Sequence, residues 1–189
     1  ITGALDPGGY NLSPQAYQST QALWREQALP LRIRFSLSAP RAREELGDFE
    51  QLTALMPMGW GDDLLRFNGL GENVTWGMYN NAAPNAQDQS HLAQVLNWAA
   101  AKKMTVTFHW NQNETVHQLL EVLEKVQQSH DIKLLRWSIA HLNNASKDNL
   151  MRMKQLGMGW LVQNATYFQR SQWIEKVGLE GLSQIGRAH

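Results

Sequence analysis

Met104-Thr-Val-Thr-Phe-His109-Trp110 and Leu134-Leu-Arg-Trp-Ser-Ile-Ala-His141-Leu142 are two strand-like runs, each ending near a histidine. Residues 114–128 between them are amphipathic and long enough for a crossover helix. Strand, helix, strand in that order makes the two strands parallel, so both histidines emerge at one edge, the C-terminal edge of the sheet. That edge is where α/β folds build their sites. Two imidazoles converging there can share a metal ion or do acid–base work. A single strand histidine is equally at home as a hydrogen-bonded core residue. Two at equivalent positions of consecutive units weigh against that reading. His91, His117, His130 and His189 lie on helices or at the terminus and read as surface or structural.

The same alternation extends outward in both directions. Upstream, residues 1–5 form a short strand that runs into the turn cluster Asp6-Pro-Gly-Gly9. Ser13-Pro14 starts a helix carrying Tyr17, Leu23 and Trp24, with Ser as the cap and Pro at the first helical position. Residues 31–37 alternate like a strand, and 41–55 form a helix stopped by Pro57 and Gly59. Residues 63–68 make the next strand, leading into Gly69-Leu-Gly-Glu72-Asn73. A polar loop containing Pro84 precedes a helix over 91–103. Downstream, Ser146 caps a helix through Met153, residues 159–163 form a strand, and a last helix lies around 173–177. Six strands separated by helices, in units of roughly 30 residues, match the repeat of a (β/α)8 barrel, which needs eight. The expected fold is therefore α/β: a partial TIM barrel over residues 1–189, a single domain whose first and last strands lie outside the chain. A nucleotide-binding open sheet is disfavoured, because Gly69-Leu-Gly-Glu72 lacks the third glycine of that fingerprint.

Composition narrows the function classes. Hydrophobic residues make up 43% of the 189, enough for a real core. Net charge is zero with cations dispersed, which argues against a nucleic-acid partner and against a charged membrane surface. No apolar run approaches the roughly 18 residues of a spanning helix. The absence of cysteine removes disulfides, thiolate nucleophiles and thiolate metal sites, and fits a cytoplasmic protein. Asn-x-Ser/Thr triplets at Asn11, Asn73, Asn113, Asn144 and Asn164 are of a length that arises by chance. Most of the eight tryptophans belong in the core, but Trp76 and Trp110 follow strand ends and are placed to wall a pocket. With Asn68 and Asn111 they form the expected substrate-binding set.

Phe108-His109-Trp-Asn-Gln-Asn-Glu-Thr-Val116 with its Leu- and Glu-rich continuation resembles the fifth-strand motif of the amidohydrolase-3 family, which includes N-substituted formamide deformylase-like enzymes. Arg136-Trp-Ser-Ile-Ala-His141 resembles that family's sixth-strand motif, and Met153-Lys-Gln-Leu-Gly-Met-Gly-Trp-Leu-Val-Gln163 its next helix and strand. Asp6-Pro-Gly-Gly and Leu29-Pro-Leu-Arg32 fit the second and third units, so the likeness runs along nearly the whole chain. The resemblance implies a distorted metal-dependent hydrolase barrel holding one or two divalent metals, usually zinc. It implies His109 and His141 as the fifth- and sixth-strand ligands, with His141 also able to polarise a substrate carbonyl. Further ligands, a His-x-His on the first strand and an Asp on the eighth, would lie outside this chain. At the fourth-strand position of the family's bridging lysine stands Arg66, which stays cationic. Glu72 is the nearest acid that can serve as the third metal ligand in its place. Gln112-Asn113 and Ala140 also depart from the family's Gly-Asp and Glu.

The expected activity is hydrolysis of an amide or related C–N bond in a small molecule by metal-activated water. The general base would come from the eighth strand, so the chain alone should be inactive. The competing expectation is a degenerate barrel that binds a small molecule without catalysis, favoured by Arg66, Ala140 and Asn113. Apolar surface left where strands are missing should favour self-association into a homo-oligomer.

Overall fold

The computed structural model describes residues 1–8, 14–79, 84–142 and 145–163, with residues 168, 171, 172, 174, 175 and 178. Among the described residues, six strands appear in chain order: β1 (Gly3–Asp6), β2 (Arg32–Leu37), β3 (Leu65–Leu70), β4 (Thr107–Trp110), β5 (Ser138–His141) and β6 (Gly159–Leu161). Between them lie α1 (Gln18–Arg25), α2 (Glu45–Thr53), α3 (Ala86–Ala101), α4 (Val116–Ser129) and α5 (Lys147–Gln155). Every strand pair is parallel, in two sheets ordered β1-β2-β3 and β4-β5-β6. A parallel bridge from Leu70 to Val106 joins the two, backed by the Leu70 N–H donating to the Thr105 carbonyl at 2.9 Å. The six strands thus follow one another in sequence order, which is the arc of a (β/α)8 barrel.

The helices hold this arc by burying one face each. On α4, Val116, Leu119, Leu120, Leu123 and Val126 recur at helical spacing and are all at most 1% exposed. On α3, Leu92, Val95, Leu96 and Ala99 do the same. Each such leucine contributes about 2 kcal/mol by leaving water. Trp137, at the foot of β5, is buried among them and donates its ring N–H to the Met104 carbonyl at 2.8 Å.

Several boundaries differ from the sequence reading, each for a local reason. Helix α3 starts at Ala86, not His91, because Asn85 and Asp88 form a reciprocal capping box there. Strand β3 starts later and ends later than expected. The Asp62 carboxylate first folds back onto the N–H groups of Leu64 and Leu65, at 2.8 Å and 3.0 Å. Helix α2 is shorter at its start, where Arg43 takes a left-handed φ of 71°. The Ser146 cap of α5 is as expected, accepting from the Asn149 N–H at 3.3 Å. Ser13 lies outside the described residues, as does the helix expected around 173–177, apart from Ile174 and Glu175. No helix among the described residues is long and apolar enough to cross a membrane.

Candidate metal centre

The C-terminal edge of the arc is shaped by how β3 ends. Gly71 passes so close to the Pro7 carbonyl that a Cβ there would sit 1.5 Å from the oxygen. This close approach lets the Glu72 N–H donate to Pro7 O at 2.8 Å, while the Glu72 carbonyl accepts from the His109 N–H at 3.1 Å. Glu72 is thereby clamped between the end of β1 and β4, with its side chain only 15% exposed.

The two histidines reach Glu72 by different routes. His109 is an interior residue of β4, in register with Ala140, whereas His141 is in register with the buried Trp110. Strict strand alternation would therefore turn the two imidazoles to opposite faces. His141 escapes it because its backbone is left-handed, with φ 75°, and Leu142 follows at 40°. That turn brings the two rings to a centroid separation of 4.3 Å at an interplanar angle of 60°. The Trp160 ring N–H holds the turned segment by donating to the His141 carbonyl at 3.0 Å.

Glu72 Oε2 lies 2.9 Å from His109 Nδ1 and 3.4 Å from His141 Nε2. Burial pushes the Glu72 carboxyl up, but hydrogen bonds from His109 and His141 and the attraction of both rings outweigh it and hold the group at about 2. His141 moves the other way: the Glu72 hydrogen bond raises it above 6.5, against burial, with the Glu72 charge and Gln163 assisting. Glu72 is therefore an ionised acceptor of hydrogen bonds from both imidazoles.

One carboxylate and two imidazoles, with their donor atoms within 4.8 Å of one another, also suit a divalent cation. Two ligands of a tetrahedral zinc, each about 2.1 Å from the ion, stand about 3.4 Å apart. The Glu72 Oε2 to His141 Nε2 distance of 3.4 Å has that spacing, and the Glu72 Oε2 to His109 Nδ1 distance of 2.9 Å is shorter. The donor set, His2Glu, is one that catalytic zinc uses with an open fourth position.

The other expected residues fall at different distances from this centre. Asn111 touches it: its Nδ2 is 3.0 Å from His109 Nε2. Trp110 is fully buried and donates its ring N–H to Thr115 Oγ1 at 3.1 Å, so it supports the strand end from inside the core. Trp76 is pinned by ring and backbone N–H bonds to the Ala39 carbonyl and Glu45 Oε1, at 3.2 Å and 3.0 Å. It connects to the centre through Tyr79, whose ring lies edge-on to it at 5.9 Å and packs on His109 at 5.2 Å. Asn68 lies half-buried within β3, and no hydrogen bond among the described residues ties its side chain to the cluster. Arg66 is not at the metal position. It sits near the opposite end of β3, bonded to the Asp62 carbonyl and the Asp63 carboxylate at 3.2 Å and 3.1 Å. Sequence reasoning missed Tyr79, which comes from a loop with no periodic signal.

The chain matches the family model described as the amidohydrolase family over residues 1–185, and it belongs to that family. No curated protein shows a significant match. Among solved structures, it is similar to an uncharacterised metal-dependent hydrolase from Pyrococcus horikoshii OT3, with a TM-score of 0.66 and 15% identity. A second, from Pyrococcus furiosus, gives a TM-score of 0.64 and 19% identity. Each likeness covers 98% of this chain, which spans only 37% and 38% of those two.

Proposed function

We propose that this amidohydrolase-family chain carries the fifth- and sixth-strand half of a metal-dependent hydrolase centre, acting on an amide or related C–N bond of a small molecule. The observation that supports this best is the convergence of Glu72, His109 and His141 from three successive strand ends. His109 and His141 would hold the cation through Nδ1 and Nε2, the atoms that already face Glu72. Glu72, ionised at neutral pH, would supply the third donor and offset one positive charge. A bound divalent ion, zinc being the first choice for this donor set, supplies Lewis acidity and brings the pKa of water down toward about 7. The residues of this chain do the holding and orienting: Trp160 fixes the His141 backbone, and Tyr79 backs the His109 ring.

The test is metal content after zinc loading, by plasma emission spectroscopy, beside a variant carrying His109→Ala and His141→Ala. About one equivalent in the wild type, lost in the variant, supports the hydrolase centre and justifies a screen of amide substrates. Zinc-free wild type would favour a non-catalytic barrel that binds a small molecule, with Glu72 serving only to pair the histidines.

A further inference from the structure

Glu45, the first residue of α2, buries its carboxyl group away from the metal centre, with the side chain 1% exposed. Its Oε1 accepts the Trp76 backbone N–H at 3.0 Å, and its Oε2 lies 2.7 Å from His91 Nε2 on α3. Burying a carboxyl group costs stability unless its oxygens find partners, and an apolar residue of similar size often packs as well. The two helices are also held together without it: Phe49 and Trp98 stack between them at 6.4 Å, and Arg43 pairs with Asp88 at 2.9 Å. The group that calls for a carboxyl oxygen is the Trp76 N–H. Trp76 opens a 3-10 turn, Trp76–Met78, with Thr75 at the cap position. A threonine there ordinarily accepts an N–H of the first turn. Thr75 makes no such bond, and its hydroxyl is buried with no hydrogen-bond partner among the described residues. Glu45 therefore ties down this turn from a different helix.

The turn delivers Tyr79 to the centre. The Trp76 ring meets the Tyr79 ring edge-on at 5.9 Å, and the Tyr79 ring packs on His109 at 5.2 Å. The turn is boxed in on its other sides as well. The Trp76 ring N–H donates to the Ala39 carbonyl at 3.2 Å, and Gly77 passes so close to the Asp88 carboxyl that a Cβ would not fit. We propose that Glu45 is a positioning residue of the metal centre, holding the 3-10 turn so that Tyr79 stays against His109 and fixes its ring for ligation. Glu45 acts through Trp76 and Tyr79, and its partner His91 anchors the brace on α3. Groups that orient a metal-binding histidine from behind commonly change metal affinity by about 10–100-fold. This role rests on the reading of Glu72, His109 and His141 as a metal centre.

The experiment compares wild type, Glu45→Leu, Tyr79→Leu and the double variant, each checked for folding by circular dichroism, with two readouts. The first is zinc affinity by competition with a chelating dye. The second is the NMR position of the carbon-bound ring protons of His109 in the metal-free protein, which the Tyr79 ring current displaces. Each single variant is expected to bind zinc about 10-fold more weakly than wild type and to move the His109 signals in the same direction. The double variant should bind no more weakly than Tyr79→Leu, because residues acting along one chain of contacts do not add. Unmoved His109 signals in Glu45→Leu overturn the proposal. So do losses of affinity that add in the double variant, or a folded Tyr79→Leu protein with wild-type affinity. Should Glu45→Leu not fold, Trp76→Leu takes its place with the same outcomes, since it cuts the same path between Glu45 and Tyr79. If wild type takes up no zinc, the metal-centre reading fails by itself, and the His109 signals still decide whether Glu45 holds Tyr79 against the ring.

Discussion

His109 Nδ1 and Glu72 Oε2 lie 2.9 Å apart across the junction of β3 and β4, where the two three-stranded sheets meet. The contact therefore links the sheets chemically as well as forming the centre. Removing the carboxylate should loosen both. The depression of Glu72 from 4.5 to about 2 corresponds to at most about 3 kcal/mol of folding stability, reached where the imidazoles are protonated. Glu72→Gln is expected to lose a large part of that in urea denaturation of the metal-free protein, and to weaken zinc binding as well.

The same pair predicts how stability varies with pH. Glu72 is depressed, so its contribution is complete above 4.5 and disappears as pH falls toward 2. His141 is raised, so its contribution is complete below 6.5 and is lost as pH rises through its higher folded value. The metal-free protein should thus be most stable between 4.5 and 6.5. Midpoints of urea unfolding across that range and on either side check this. In Glu72→Gln the maximum should flatten.

Zinc binding should displace the proton that His141 holds. Above 6.5 the raised ring remains partly protonated, and a protonated imidazole cannot ligate. Calorimetry in buffers of different ionisation enthalpy should show proton release near neutral pH. Apparent affinity should rise with pH until His141 has titrated, then level off. Affinity independent of pH across that interval would contradict the assignment of His141 Nε2 as a donor.

How far the centre was legible in the sequence depends on the residue. The two histidines were visible because strand, helix and strand put both on one edge, and that placement is correct. Their register is not simple: His141 pairs with Trp110, and only its left-handed backbone brings its ring to His109. No pattern of apolar and polar residues encodes that turn. Glu72 reads as the nearest acid beyond the strand, while the family resemblance puts Arg66 at the position of the bridging lysine in a strand expected over 63–68. The strand continues to Leu70, with Gly69 at a φ of 99°, and the edge moves with it. Trp110 looked like a pocket wall for following a strand end, yet Thr115 holds its ring inward. Trp110→Phe should lose that hydrogen bond, lowering stability by about 1 kcal/mol while leaving zinc affinity unchanged.

The backbone at His141 offers a test that separates geometry from ligation. A non-glycine residue at φ 75° is strained, and β-branched side chains tolerate that region worst, whereas asparagine visits it readily. His141→Asn and His141→Val both remove the imidazole and should both lose zinc. They should differ in stability, with the valine protein less stable by about 1–3 kcal/mol, the usual cost of such backbone strain. The comparison is best made above pH 6.5, where the lost interaction of His141 with Glu72 weighs less in both. Equal stability would mean that the turn relaxes once the imidazole is gone. The left-handed conformation would then be imposed by the Glu72 contact, not by the Trp160 hydrogen bond to the His141 carbonyl.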